Sequence, residues 1–262
     1  MSLKTILSLL SLAAIPLAAA VPAPSSNAGA EVDSPEVSIR RKLPLGTAIG
    51  GALDLPPTPT EAPSPELVAQ AVSRLTITME NKNGGDVSTV HVRAANAPPP
   101  VSGNTSPGRM KDGQKSVFVV KAGWSGNIAV SNAQYKPVTG DESLIEGSFV
   151  NQFGRHQGDL DVSYVNGFSV PLVCYCNQNK LIVGCNKNLF ELGRCPNPNG
   201  QGSCKNPHRS GPNSAAPFFK PCHGKGGAYT YPGDNDANQL NARCPQEQYT
   251  CCIGRNCPKS PK

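Results

Sequence analysis

The chain has 262 residues and a formal net charge of +6, and it carries 26 glycines and 26 prolines. That much glycine and proline excludes a predominantly helical fold, because each weakens or breaks a helix interior. Charged residues make up 16% of the chain against roughly 25% in ordinary soluble domains, and the one long apolar run lies at the N-terminus, so nothing points to an integral membrane protein.

Lys4, the apolar stretch from Ile6 to Leu17, and Ala18, Ala19 and Ala20 ahead of Val21 have the layout of a secretory signal peptide over residues 1–20. The stretch is shorter than the roughly 20 residues a membrane span needs. Residues 21–73 hold nine prolines among Ala, Ser, Thr and Glu and read as a disordered Pro-rich linker or pro-segment. Within it Arg40, Arg41 and Lys42 fit a processing site and a solvated charge run equally well.

A folded domain is expected over 74–262. Leu75, Ile77 and Met79 alternate with Thr76, Thr78 and Glu80, and Asn83, Gly84 and Gly85 supply a turn before Val87, Val90 and Val92, which predicts a β-hairpin. A Pro-rich break at 97–107 contains the sequon Asn104, Thr105, Ser106, so Asn104 is a candidate glycosylation site on an exposed loop. Segments 116–121 and 127–131 flank Gly123 to Gly126 and predict a second hairpin. Later strands over 162–164 and 168–170 alternate with long loops, and a small helix fits 189–192. The pattern is that of an all-β sandwich with a Cys-rich part at 174–257.

All ten cysteines, Cys174, Cys176, Cys185, Cys195, Cys204, Cys222, Cys244, Cys251, Cys252 and Cys257, lie in that part. An even number in an exported chain predicts five disulfides, with the pairing left open. A zinc site built on Cys174, Cys176 and His208 or His223 lacks the paired C-x-x-C spacing, so no metal and no cofactor is expected. His156, His208 and His223 have no Ser or Cys at the spacing of a hydrolytic triad. Residues 151–262 carry twelve basic against six acidic side chains while 1–150 are balanced, so the basic half suits wall or anionic surfaces. With no dense Arg/Lys stripe, nucleic acid is not an expected partner.

The segment IEGSFVNQFGRHQGDLDVSYVNGFSVPLVC, from Ile145 to Cys174, resembles the thaumatin-like family in Glu146, Asn151, Gln152, Asp161, Gly167, Phe168, Ser169, Val170 and Pro171. PFFKPCHGKGGAYTYPGDND (Pro217 to Asp236) and ARCPQEQYTCC (Ala242 to Cys252) are similar to two further segments of that family. The resemblance implies a thaumatin-like flattened β-sandwich with disulfide-rich loop regions and an acidic cleft for β-1,3-glucan. The signal peptide predicts a secreted, extracellular protein and, with the prolines, fits a fungal type, whose members in that family are associated with the cell wall; a monomer is expected.

The ligand-binding residues the resemblance implies are Glu146, Asp159, Asp161, Tyr229 and Tyr231. If the protein is a glucanase, Glu146 is the acid and Asp161 its partner, because glycoside cleavage takes one protonated and one ionised carboxyl. His223, Gly224 and Lys225 stand where the family has an acid, and Lys136 is the nearest candidate for its arginine.

Each residue also has a plainer role. Asp159 and Asp161 could cap backbone amides in a turn, Glu146 could be solvated, and the two tyrosines could sit in an ordinary strand. The leading expectation is binding of β-glucan or another wall polysaccharide. The alternatives are a weak endo-β-1,3-glucanase and an antifungal, membrane-permeabilising protein.

Overall fold

The computed structural model describes residues 73–137, 140–152 and 155–262. The expected signal peptide, the linker up to residue 72 and the Arg40 to Lys42 cluster lie outside the described residues.

Strict alternation makes β1 (Arg74–Asn81) one-sided: Leu75, Ile77 and Met79 are fully buried, whereas Thr76 and Thr78 are half-buried on the other face. β5 (Lys115–Lys121) repeats the pattern with Phe118 and Val120 inward. The two pair antiparallel with Ile77 opposite Phe118 and Leu75 opposite Val120. On the other side of β1 runs β13 (Gln248–Ile253), parallel, with Tyr249 opposite Ile77. Adding β3 (Ser102–Gly103), β10 (Leu172–Cys176) and β11 (Ile182–Cys185) gives a six-stranded sheet in the order β11-β10-β13-β1-β5-β3.

The second sheet has five strands, β4-β2-β6-β7-β8, comprising β2 (Val87–Arg93), β4 (Arg109–Met110), β6 (Trp124–Asn132), β7 (Ser143–Gln152) and β8 (Arg155–Ser163). Its inner face presents Ile128, Ile145 and Val162, opposed in one row across β6, β7 and β8, and Trp124 opposite Phe149. These side chains share one hydrophobic core with Leu75, Ile77 and Phe118 of the first sheet. A two-stranded ribbon pairs β9 (Gly167–Phe168) with β12 (Cys204–Lys205). The fold is therefore all-β and disulfide-rich, as the sequence predicts.

Both expected hairpins are corrected. β1 and β2 lie in different sheets, and so do β5 and β6. The Asn83 to Gly85 turn carries the chain from one layer to the other, tied by the Asn81 amide, which donates to the carbonyls of Gly85 and Met110 at 3.0 Å each. A half-buried strand specifies which face must be covered and not which neighbour it pairs with. Placing successive strands in opposite sheets brings their apolar faces together. β6 also begins at Trp124, so Trp124 to Gly126 are strand, not turn.

The small helix α1 is found at Leu189–Leu192, with the Asn188 side chain accepting from the Phe190 amide. All ten cysteines are paired: Cys174–Cys251, Cys176–Cys244, Cys185–Cys222, Cys195–Cys204 and Cys252–Cys257. Among the described residues no group of His, Cys, Asp and Glu could hold a metal ion, and no helix is long and apolar enough to cross a membrane.

Candidate functional site

β7 and β8 present alternate residues outward, so Leu144, Glu146 and Ser148 face Ser163, Asp161 and Asp159 in three successive rows. Glu146 and Asp161 are directly opposed, which holds their Cβ atoms about 4.5–5.5 Å apart. The start of β7 is fixed by the Gly167 to Pro171 segment. The Ser143 hydroxyl donates to the Val170 carbonyl at 2.7 Å and accepts from the Ser169 amide at 3.0 Å. Phe168 and Val170 anchor this segment in the core. Phe168, Ser169 and Val170 thus act with Ser143 as a clamp at the start of the acidic rows.

A cleft of about 300 Å³ opens over these rows, lined by Leu144, Glu146, Asp161, Ser163, Val165, Asn166, Tyr229 and Pro232. Tyr229 reaches it through a parallel bridge to Ser163, with its amide donating to the Val162 carbonyl at 2.8 Å.

Asp161 dominates the electrostatics. Burial, followed by the charges of Glu146 and Asp159, pushes its pKa well above the usual 3.8. Its Oδ1 is sealed from solvent with no hydrogen-bond partner. Glu146 is raised by burial, against a hydrogen bond from Ser163, and Asp159 is raised by burial, against a bond of 2.7 Å from the Asn238 amide. Burial and the charge of Asp161 push Tyr229 up to about 12, so its phenol stays protonated. The cleft therefore holds carboxyls that retain protons more readily than free ones and a neutral phenol, a set suited to hydrogen bonds with hydroxyl-rich, uncharged molecules.

Of the expected ligand-binding residues, the structure brings Glu146, Asp161 and Tyr229 together in the cleft. Asp159 sits one row along the same face, bonded to Asn238. Tyr231 turns instead toward His223, with ring centroids 5.7 Å apart. Neither acid lies in a turn, because both are within β8, and Glu146 is half-buried rather than solvated. Tyr229 is an isolated bridge residue rather than part of a regular strand. Lys136 is exposed and does not line the cleft.

Sequence reasoning missed several neighbours. After Cys222, His223 donates from Nδ1 to Oδ2 of buried Asp234 at 2.9 Å, so an acid does stand beside the residue that replaces the expected one. The same oxygen accepts from the Thr230 amide and hydroxyl, while Oδ1 is buried without a partner. Arg209 donates to buried Asp141 and, at 3.4 Å, to the carbonyl of Asn166, holding that wall of the cleft. Asp234, Ser163 and Asn166 lie inside the segments similar to the thaumatin-like family but are not among the residues singled out in them. Asn104 is exposed, its Oδ1 accepting from the Ser106 amide at 2.8 Å.

No protein-family model matches the chain, and no curated protein matches it.

Proposed function

We propose that the protein is a secreted polysaccharide-binding protein, of thaumatin-like type, whose ligand is β-1,3-glucan or a related neutral glycan of the cell wall. The observation that carries this reading is the open cleft in which Glu146 and Asp161 stand opposed with Tyr229 beside them. Five disulfides support an extracellular setting, where such bonds persist. Exposed Asn104 fits an N-linked glycan there.

Co-sedimentation of the mature protein with insoluble β-1,3-glucan tests the reading. Retention well above that of an unrelated secreted protein is the expected result, and equal retention rejects it.

One observation favours a second reading, a weak endo-β-1,3-glucanase. Two opposed carboxyls, both held above their ordinary values by burial, offer an acid and base pair. In this arrangement one of the two donates to the leaving oxygen while the other attacks or stabilises the sugar cation. Reducing-sugar release that disappears in the Glu146→Gln, Asp161→Asn double variant supports this reading, and release that persists assigns the activity elsewhere.

A further inference from the structure

The acidic cleft does not end at β7. A second hollow of about 310 Å³ adjoins it, sharing Leu144 and Asn166, and extends over Val90 and Val92 of β2 and Asn127 and Ala129 of β6. The strand register turns these residues into two straight rows. One runs Val90, Ala129, Leu144, Ser163 and on to Tyr229, and the other runs Val92, Asn127, Glu146, Asp161. Each row crosses the sheet at right angles to the strands, one side chain per strand. Three inter-strand steps cover roughly 14 Å, long enough for about three sugar rings. The composition changes along the way, from acids and a phenol over β8 to aliphatic side chains over β2, where Val92 is 57% exposed.

We infer that this apolar trough is a second subsite for the same ligand, so that the groove takes an uncharged linear glycan laid across the strands rather than a chain end. The inference rests on the reading of the acidic cleft as a polysaccharide site and deepens it. A pyranose ring has C–H faces that pack on aliphatic surface and a hydroxyl edge that needs polar partners. The trough offers both, with Val90, Val92, Ala129 and Leu144 as floor and the Asn127 and Asn166 amides beside them. Glu142, Glu146 and Asp161 spaced along the groove disfavour an anionic chain. Continuity through Leu144 and Asn166 places successive sugars of one chain in both hollows.

Calorimetric titration of the full protein with a disaccharide and with a hexasaccharide of β-1,3-linked glucose tests this. The hexasaccharide is expected to bind more tightly. Val92→Ala and Asn127→Ala are each expected to weaken hexasaccharide binding roughly three- to tenfold, by loss of apolar contact and of a hydrogen bond, while leaving disaccharide binding unchanged. Val92 is exposed and Asn127 half-buried, so neither change opens the core, and an unaltered melting temperature verifies it. Equal affinity for the two lengths, or hexasaccharide binding that survives both substitutions, overturns the second subsite alone. A protein that binds neither sugar overturns the reading of the cleft and the trough with it.

Discussion

Asp161 holds its proton to a higher pH than a free aspartate because burial strips water from the carboxylate and because Glu146 and Asp159 repel a further negative charge. A carboxyl whose folded pKa is raised gives stability that is fully present below its unfolded value, near 3.8, and lost as pH rises through the folded value. Glu146 and Asp159 are raised too and act in the same direction. Asp161→Asn should therefore raise the melting temperature at neutral pH and flatten its decline above pH 3.8, with the gap to the parent closing in stronger acid. Thermal melts across pH measure this, and a variant that is less stable at neutral pH and as pH-dependent as the parent contradicts it. Gly167 makes a different demand. A Cβ there would lie 2.2 Å from the Asp141 carbonyl and 2.6 Å from that of Cys204, both backbone atoms that cannot swing away. Gly167→Ala should cost about 1–3 kcal/mol in denaturant unfolding, the range for overpacking, and a neutral result would mean that the β9–β12 ribbon shifts freely.

The disulfides act on whole elements, and their contributions should follow the length of chain they close. Cys174 and Cys251 occupy opposed positions on β10 and β13 and close a loop with a sequence separation of 77, whereas Cys252 and Cys257 are separated by 5. Because Cys176–Cys244 already ties the same two segments, the first closes a loop of only about 11 residues when the other bridges stay. Chain entropy then gives about 2.8 kcal/mol for it and about 2.2 kcal/mol for the second. Paired replacement by alanine, followed by denaturant unfolding, should reproduce that order, and equal losses would show that native contacts rather than loop closure decide. Strands were legible at this scale and their partners were not. The alternation in Leu75 to Met79 marked β1, and the small helix expected at 189–192 is α1, because both patterns are local. The insertion of β13 between β10 and β1 joins residues at opposite ends of the domain, and no local pattern encodes that choice. The two expected hairpins failed for the same reason.

Across the whole molecule, the groove is a product of register: nine side chains from four strands and one bridge residue fall into line only once β2, β6, β7 and β8 are paired. Glu146, Asp161 and Tyr229 were legible through family resemblance. Val92, Asn127 and Asn166 were not, because a valine or asparagine in a strand or loop carries no signal of the cavity beside it. The central claim is that this sheet face receives a glycan, and amide chemical-shift mapping of the isotope-labelled protein with a soluble β-1,3-gluco-oligosaccharide tests it most directly. Shifts concentrated at Glu146, Asp161, Ser163 and Tyr229 are required by the account. Shifts confined to the Cys-rich loops around α1, or no shifts at saturating sugar, would contradict it.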